Sequence, residues 1–158
     1  MYSELNIKVN DLVETNKFAK KFAKFVTPPF FLCLKGEIGS GKTTFTRFLI
    51  KQFSKKNINI PSPTFPIVQV YEFEKIKIWH YDLYRIENKE EFFSLDFDLA
   101  INDFVIVEWP QVFLEYFPKN RVELNFLDKP GDERDIEIKL LGKFSKMHTS
   151  LWKMLKKK

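Results

Sequence analysis

Apolar and polar residues alternate over Leu5-Asn6-Ile7-Lys8-Val9, the period of a strand with one buried face. The period then becomes helical. Asp11 stands at an N-cap position, and Leu12, Ala19, Phe22, Ala23 and Val26 form an apolar stripe. The pattern predicts a helix to about Val26, stopped by Pro28-Pro29. Phe30 to Leu34 is unbroken apolar, as in a strand covered on both faces. From Thr44 to Phe53, helical spacing returns, with Phe45, Phe48, Leu49 and Phe53 on one face. Ile60-Pro61-Ser62-Pro63-Thr64-Phe65-Pro66 reads as a stiff, extended loop. Ile67–Phe73 and Ile76–Asp82 read as neighbouring strands with a turn at Glu74-Lys75. Asn88 is placed to cap a helix holding Phe92, Phe93 and Leu95. Phe104–Val107 predicts a central strand, and Pro110 opens a short helix to about Phe117. Arg121–Leu127 and Asp135–Leu141 alternate around the turn sequence Lys129-Pro130-Gly131-Asp132. From Lys143, the residues Phe144, Met147, Leu151, Met154 and Leu155 share a helical face. The pattern predicts an α/β domain over residues 1–142 and a basic amphipathic tail over 143–158.

Composition changes this picture little. The chain has 158 residues, 44% of them hydrophobic, with 18 Phe, enough for one sizeable core. A formal charge of +5 leans toward an acidic partner such as nucleotide or RNA. Lys17, Lys20, Lys21 and Lys24 fit a solvated helix surface, and the Lys-rich tail is expected to pack on the domain rather than reach RNA or membrane. Cys33 is the single cysteine, so an internal disulfide is excluded, and no Cys/His set has zinc spacing. No leader pattern opens the chain and no apolar run spans a bilayer, so a cytoplasmic protein without membrane contact is expected.

The stretch Gly36-Glu37-Ile38-Gly39-Ser40-Gly41-Lys42-Thr43, followed by Thr44, changes the picture most. It fits G-x-x-x-x-G-K-[ST] between a predicted strand and a predicted helix. Glycines at 36, 39 and 41 allow positive φ and let successive N–H groups form an anion nest. In such loops the lysine, here Lys42, reaches the outer phosphates, and the hydroxyl of the next residue, Thr43, takes a magnesium position.

Phosphate binding alone does not name a reaction. Asp82 closes its strand where a carboxylate meets Mg²⁺ directly or through water. His80 falls on the same side as Asp82 in a regular strand, either orienting it or lying satisfied in the core. Glu108 ends the apolar strand, where a buried carboxylate needs a cation or water to serve. It is a candidate for the metal shell and for orienting the attacking water. Trp109 either covers the site or fills core. Thr64 lies where nucleotide switches place a threonine that senses the γ-phosphate and its metal.

Together, Gly36–Thr43, Ser62-Pro63-Thr64-Phe65, His80-Tyr81-Asp82-Leu83-Tyr84-Arg85 and Glu108-Trp109 resemble, in order and spacing, the bacterial TsaE (YjeE) family. The resemblance covers roughly residues 10 to 140. It implies a three-layer α/β P-loop fold with a mostly parallel sheet and added antiparallel strands. It implies an ATPase of tRNA threonylcarbamoyladenosine (t6A) modification, using ATP and Mg²⁺ and working with TsaD and TsaB, through which tRNA is reached. It places Lys42 and Thr43 at the phosphates, Asp82 at the metal, and Glu108 at the metal or catalytic water. Thr15 and Arg134 are the local counterparts of segments that flank adenine in that family. The extension beyond about Gly142 departs from the family pattern.

Three other readings stay open at this point. A small-molecule kinase needs an arginine-bearing mobile lid, whereas Arg47, Arg85, Arg121 and Arg134 are scattered. A GTPase needs Asn-Lys-x-Asp, and Asn88-Lys89-Glu90-Glu91 lacks the final Asp. A nucleotide-gated binding module needs the same loop without turnover.

Overall fold

The helical and alternating patterns resolve, in a computed structural model, into a seven-stranded sheet with helices on both faces. The structure describes residues 1–157; Lys158, the last lysine of the predicted tail, lies outside them. The strands are β1 (Tyr2–Val9), β2 (Phe30–Lys35), β3 (Val68–Glu72), β4 (Lys77–Asp82), β5 (Phe104–Glu108), β6 (Val122–Leu127) and β7 (Arg134–Leu141). Their order in the sheet is β1-β7-β6-β2-β5-β4-β3. The pairs β6–β2, β2–β5 and β5–β4 are parallel, and β1–β7, β7–β6 and β4–β3 are antiparallel. This parallel centre, with antiparallel strands added on both sides, is the arrangement that the resemblance implied.

The unbroken apolar runs are the inner parallel strands, as burial on both faces requires. Phe30, Leu32 and Leu34 of β2 join one core, while Phe31 and Cys33 join the other. In β5, Phe104 and Ile106 fall in the first core and Val105 and Val107 in the second. Cys33 is fully buried, and burial pushes its thiol pKa up, so it is an inert core residue.

The first core is roofed by α1 (Leu12–Ala23) and α2 (Lys42–Lys51). Asp11 caps α1 by accepting from the Glu14 amide at 2.8 Å. The helix ends three residues before the predicted Val26. Lys24, Phe25 and Val26 continue with amides bonded three residues back, a tighter turn that still buries Phe25 and Val26. Leu12 was expected in the buried stripe and is 48% exposed, whereas Phe18 is buried in its place. Phe18 stacks on Phe45 of α2 at 5.1 Å.

The second core is covered by two short helices, α3 (Lys89–Phe93) and α4 (Phe97–Ala100), and a 3-10 turn, Gln111–Tyr116. Asn88 caps α3 as the sequence suggested. Phe93 departs from expectation: α3 is one turn long, buries Phe92, and leaves Phe93 exposed.

The tail opens as a 3-10 segment, Gly142–Met147, and continues as α5 (His148–Lys156). It packs back on the first core through Phe144, Leu151 and Leu155. Lys21 of α1 donates to the Leu155 carbonyl at 3.1 Å, tying the two helices together.

Candidate functional site

Parallel strands deliver their carboxyl ends to one edge, where a crevice opens. Here β2, β4 and β5 run in parallel and end on Lys35, just before Gly36, on Asp82 and on Glu108. Asp82 and Glu108 are register partners in neighbouring strands. Chain positions far apart are thereby brought to one cavity of about 560 Å³.

The loop between β2 and α2 takes the shape its glycines permit. Gly36 has φ 141°, and a Cβ there would lie 2.7 Å from the Phe126 carbonyl oxygen. Gly41 caps α2 at φ 108°, a conformation costly to any residue with a side chain. The loop so closed leaves Lys42 buried. Its ammonium donates to the Gly36 carbonyl and, at 3.1 Å, to the Glu37 carbonyl. The same ammonium lies 3.8 Å from the centre of the Trp109 ring. Burial lowers the Lys42 pKa, against the pull of Glu108, Asp82 and Glu37, which raise it.

Two carboxylates face this cation, each with both oxygens engaged. Glu108 accepts from the Thr43 hydroxyl at 2.8 Å and pairs with His80 Nε2 at 2.6 Å. Asp82 accepts from the Thr64 hydroxyl and from the Tyr84 amide, each at 2.9 Å. Thr64 spends its one proton on Asp82, so Ser62, 2.9 Å away, donates to Thr64. Of the two readings of His80, the structure favours the buried core histidine, with Nε2 bonded and Nδ1 without a partner, and not the one that orients Asp82. The regular strand puts it beside Asp82 as expected, but it bonds Glu108, whose longer side chain reaches back along the neighbouring strand.

Every residue assigned above to phosphate, adenine, metal or catalysis lines the cavity except Gly36, the first residue of the loop. Thr15 lines it from α1, its hydroxyl donating to the Asp11 carbonyl at 3.1 Å. Arg134 comes from the start of β7, and its guanidinium is taken up by carbonyls. Nε donates to Ser40 at 2.6 Å and Nη2 to Gly39 at 3.0 Å. Nη1 reaches the carbonyls of Gly131 and Glu133, both at 2.6 Å. The arginine thus pins the β6–β7 turn to the phosphate loop. Trp109 lines the cavity rather than filling core, with its ring 4.9 Å from Tyr84. Its backbone sits at φ 59°, a strained value for tryptophan, of the kind that clusters at functional sites.

Leu12, Tyr84, Phe126 and Asp132 also line the cavity and were not singled out from the sequence. Leu12 and Thr15 are three apart on α1, so the adenine-side assignment of Thr15 held the signal for Leu12. Tyr84 lies two residues past Asp82 and gave no signal outside the motif.

The donor set suits a hard cation: one hydroxyl and two carboxylates, all oxygen. No group of three or more His, Cys, Asp or Glu that could hold a metal ion occurs among the described residues. Magnesium at such a site takes the rest of its shell from phosphate oxygens and water. The chain therefore brings a glycine-lined loop, one lysine and a set of oxygen donors to one cavity.

The family described as threonylcarbamoyl adenosine biosynthesis protein TsaE matches residues 9–136. The chain belongs to the TsaE family. The tRNA threonylcarbamoyladenosine biosynthesis protein TsaE of Rickettsia prowazekii is 41% identical over 118 residues, 74% of this chain and 82% of that protein. The Bacillus subtilis protein of the same name is 33% identical over 82% of this chain and 81% of its own length. The crystal structure of Bacillus subtilis YdiB superposes with a TM-score of 0.74 at 28% identity, over 98% of this chain and 95% of that one. The TsaE family match stops before α5 and before the 3-10 segment that leads to it. Family membership links the chain to t6A biosynthesis. No helix among the described residues is long and apolar enough to cross a membrane.

Proposed function

We propose that this TsaE-family chain is a Mg²⁺-dependent ATPase of cytoplasmic t6A synthesis, acting on the TsaB–TsaD complex so that it turns over repeatedly. The observation that carries the reading is the meeting of Lys42, Thr43, Asp82 and Glu108 at one cavity, at the carboxyl ends of β2, β4 and β5. Loop amides and Lys42 bind the phosphates. Thr43 and Asp82 would hold a magnesium ion, with Glu108 placed to join them. Bound Mg²⁺ supplies charge neutralisation at the phosphate oxygens. Glu108 orients the attacking water and accepts its proton, with His80 fixing the carboxylate from behind. Thr64 stands against Asp82 as the sensor of the outer phosphate. The test is steady-state ATP turnover, alone and with TsaB, TsaD and tRNA. Slow basal turnover and clear stimulation are expected; turnover that ignores the partners would overturn the assignment to that complex.

The base is assigned to the end of the cavity lined by Leu12, Thr15 and Arg134. Arg134 does more than flank it, because its donors hold the Gly39 and Ser40 carbonyls. Arg134→Met is therefore expected to weaken ATP and inorganic tripolyphosphate alike, by about tenfold, the worth of one charge-assisted hydrogen bond. Calorimetry with both ligands checks it. A loss confined to ATP would leave adenine contact as its only role.

A further inference from the structure

Charge is unevenly spread over this molecule. Lys143, Lys146, Lys153, Lys156 and Lys157 follow β7 without a single acidic residue among them. Lys17, Lys20 and Lys21 lie on α1, with Lys24 as its C-cap, and α5 packs against this helix. The opposite face carries the exposed acids Glu87, Glu90, Glu91, Asp98 and Glu115. Such a charge dipole steers an anionic partner to one side of a protein.

The basic side is concave. A groove of about 260 Å³ runs between β1, α1 and α5, with Lys8, Lys17, Lys21 and Lys156 around it. On α1, positions 14, 17 and 21 recur at helical spacing, so one stripe lines the groove. Lys8 is paired with Glu133 at 2.6 Å, and Lys21 is tied to the Leu155 carbonyl. Glu14, the one acid in the lining, is turned to the Asn10 amide at 2.7 Å. Among the described residues, Lys17 and Lys156 form no ion pair. Leu12 and Thr15 of the same helix line the nucleotide cavity, so groove and cavity adjoin along α1.

The geometry points to an RNA-binding surface: the α1–α5 groove takes the phosphodiester backbone of tRNA, beside the nucleotide pocket. The choice of tRNA rests on the t6A reading above. Phosphate contacts of this kind need cations in a groove and no base-specific groups. A membrane surface fits less well, because α5 buries Leu151 and Leu155 in the core and leaves Trp152 as its one large exposed apolar side chain, too little for an interfacial helix. Direct contact is the alternative to reaching tRNA through partners, a choice that the sequence left open.

The test is binding of a fluorescein-labelled, unmodified tRNA transcript to the full chain, followed by anisotropy over a salt series. Wild type is expected to bind at low salt, with affinity falling linearly on a logarithmic salt scale. The double variant Lys17→Glu/Lys156→Glu is expected to lose about tenfold in affinity at moderate salt. Its salt slope should drop by about 1.5, the share of two phosphate contacts. Lys55→Glu/Lys56→Glu changes net charge equally at a site remote from the groove and is expected to stay within about twofold of wild type. Lys17→Gln/Lys156→Gln repeats the measurement with less perturbation should the charge reversal unfold the chain. Equal losses at both sites, no tRNA binding by wild type, or a preference for phosphatidylserine vesicles or polyglutamate over tRNA would each overturn the proposal. ATP binding by the same proteins is measured separately, so a failed nucleotide reading and a failed RNA surface give different results.

Discussion

Lys42→Ala is expected to abolish ATP binding detectable by calorimetry while the fold survives. The side chain reaches the cavity as a buried cation under the Trp109 ring, within the field of the Asp82 and Glu108 carboxylates. A charge-assisted hydrogen bond to a phosphate is worth up to about 3 kcal/mol, and losing it costs roughly a hundredfold in affinity. Without Lys42, two carboxylates also face the triphosphate with less cation between them, which adds repulsion. The fold should tolerate the change. Only the Gly36 and Glu37 carbonyls lose a partner, and Glu37 is on the exposed rim of the loop. Burial has already lowered the Lys42 pKa, so the native state holds this proton less tightly than the unfolded chain does. Wild-type stability therefore rises as pH climbs from the depressed value toward the ordinary lysine value, and the alanine variant lacks that rise. Thermal melting at neutral and alkaline pH, beside the calorimetry, checks both halves. Unchanged ATP affinity would remove Lys42 from the phosphate site.

Much of this was legible in the chain, for a physical reason. The phosphate loop is local: its glycines, lysine and threonine fall within the one stretch Gly36–Thr43, so their geometry follows from spacing alone. β2 and β5 were equally plain, because strands buried on both faces leave unbroken apolar runs. What could not be read was set by register between strands distant in sequence. His80 and Asp82 share a face in any regular strand, but only the alignment of β4 with β5 decides that Glu108 takes His80. Leu12 and Phe18 show the same limit within one helix. Both are apolar and near the stripe, and the neighbouring α2 determines that Phe18 is buried and Leu12 faces the cavity. The resemblance gave Arg134 only as the counterpart of a segment that flanks adenine. Its hold on two loop carbonyls depends on β7 starting beside the phosphate loop, a consequence of sheet order that spacing does not carry.

Glu108 is where the site's chemistry and the fold's stability are hardest to separate, and two variants separate them. Glu108→Gln keeps a side-chain oxygen to accept from Thr43 and removes the charge. Glu108→Ala also strips His80 of its one hydrogen bond, and His80 is fully buried with Nδ1 already lacking a partner. An orphaned buried polar group costs about 1–3 kcal/mol, so the alanine variant should melt earlier than the glutamine variant. Turnover should behave otherwise. A positioned general base contributes about 10²–10⁴ in rate, so both variants are expected to lose partner-stimulated ATP turnover by at least a hundredfold. ATP binding should survive in both, because the loop amides and Lys42 are untouched. That combination, equal loss of turnover with unequal loss of stability, is the signature of a carboxylate that acts on the attacking water. Stimulated turnover that persisted in Glu108→Gln would show that the oxygen positions matter and the charge does not. Glu108 would then be a positioning residue for Thr43, and the proton acceptor would have to be found elsewhere in the cavity.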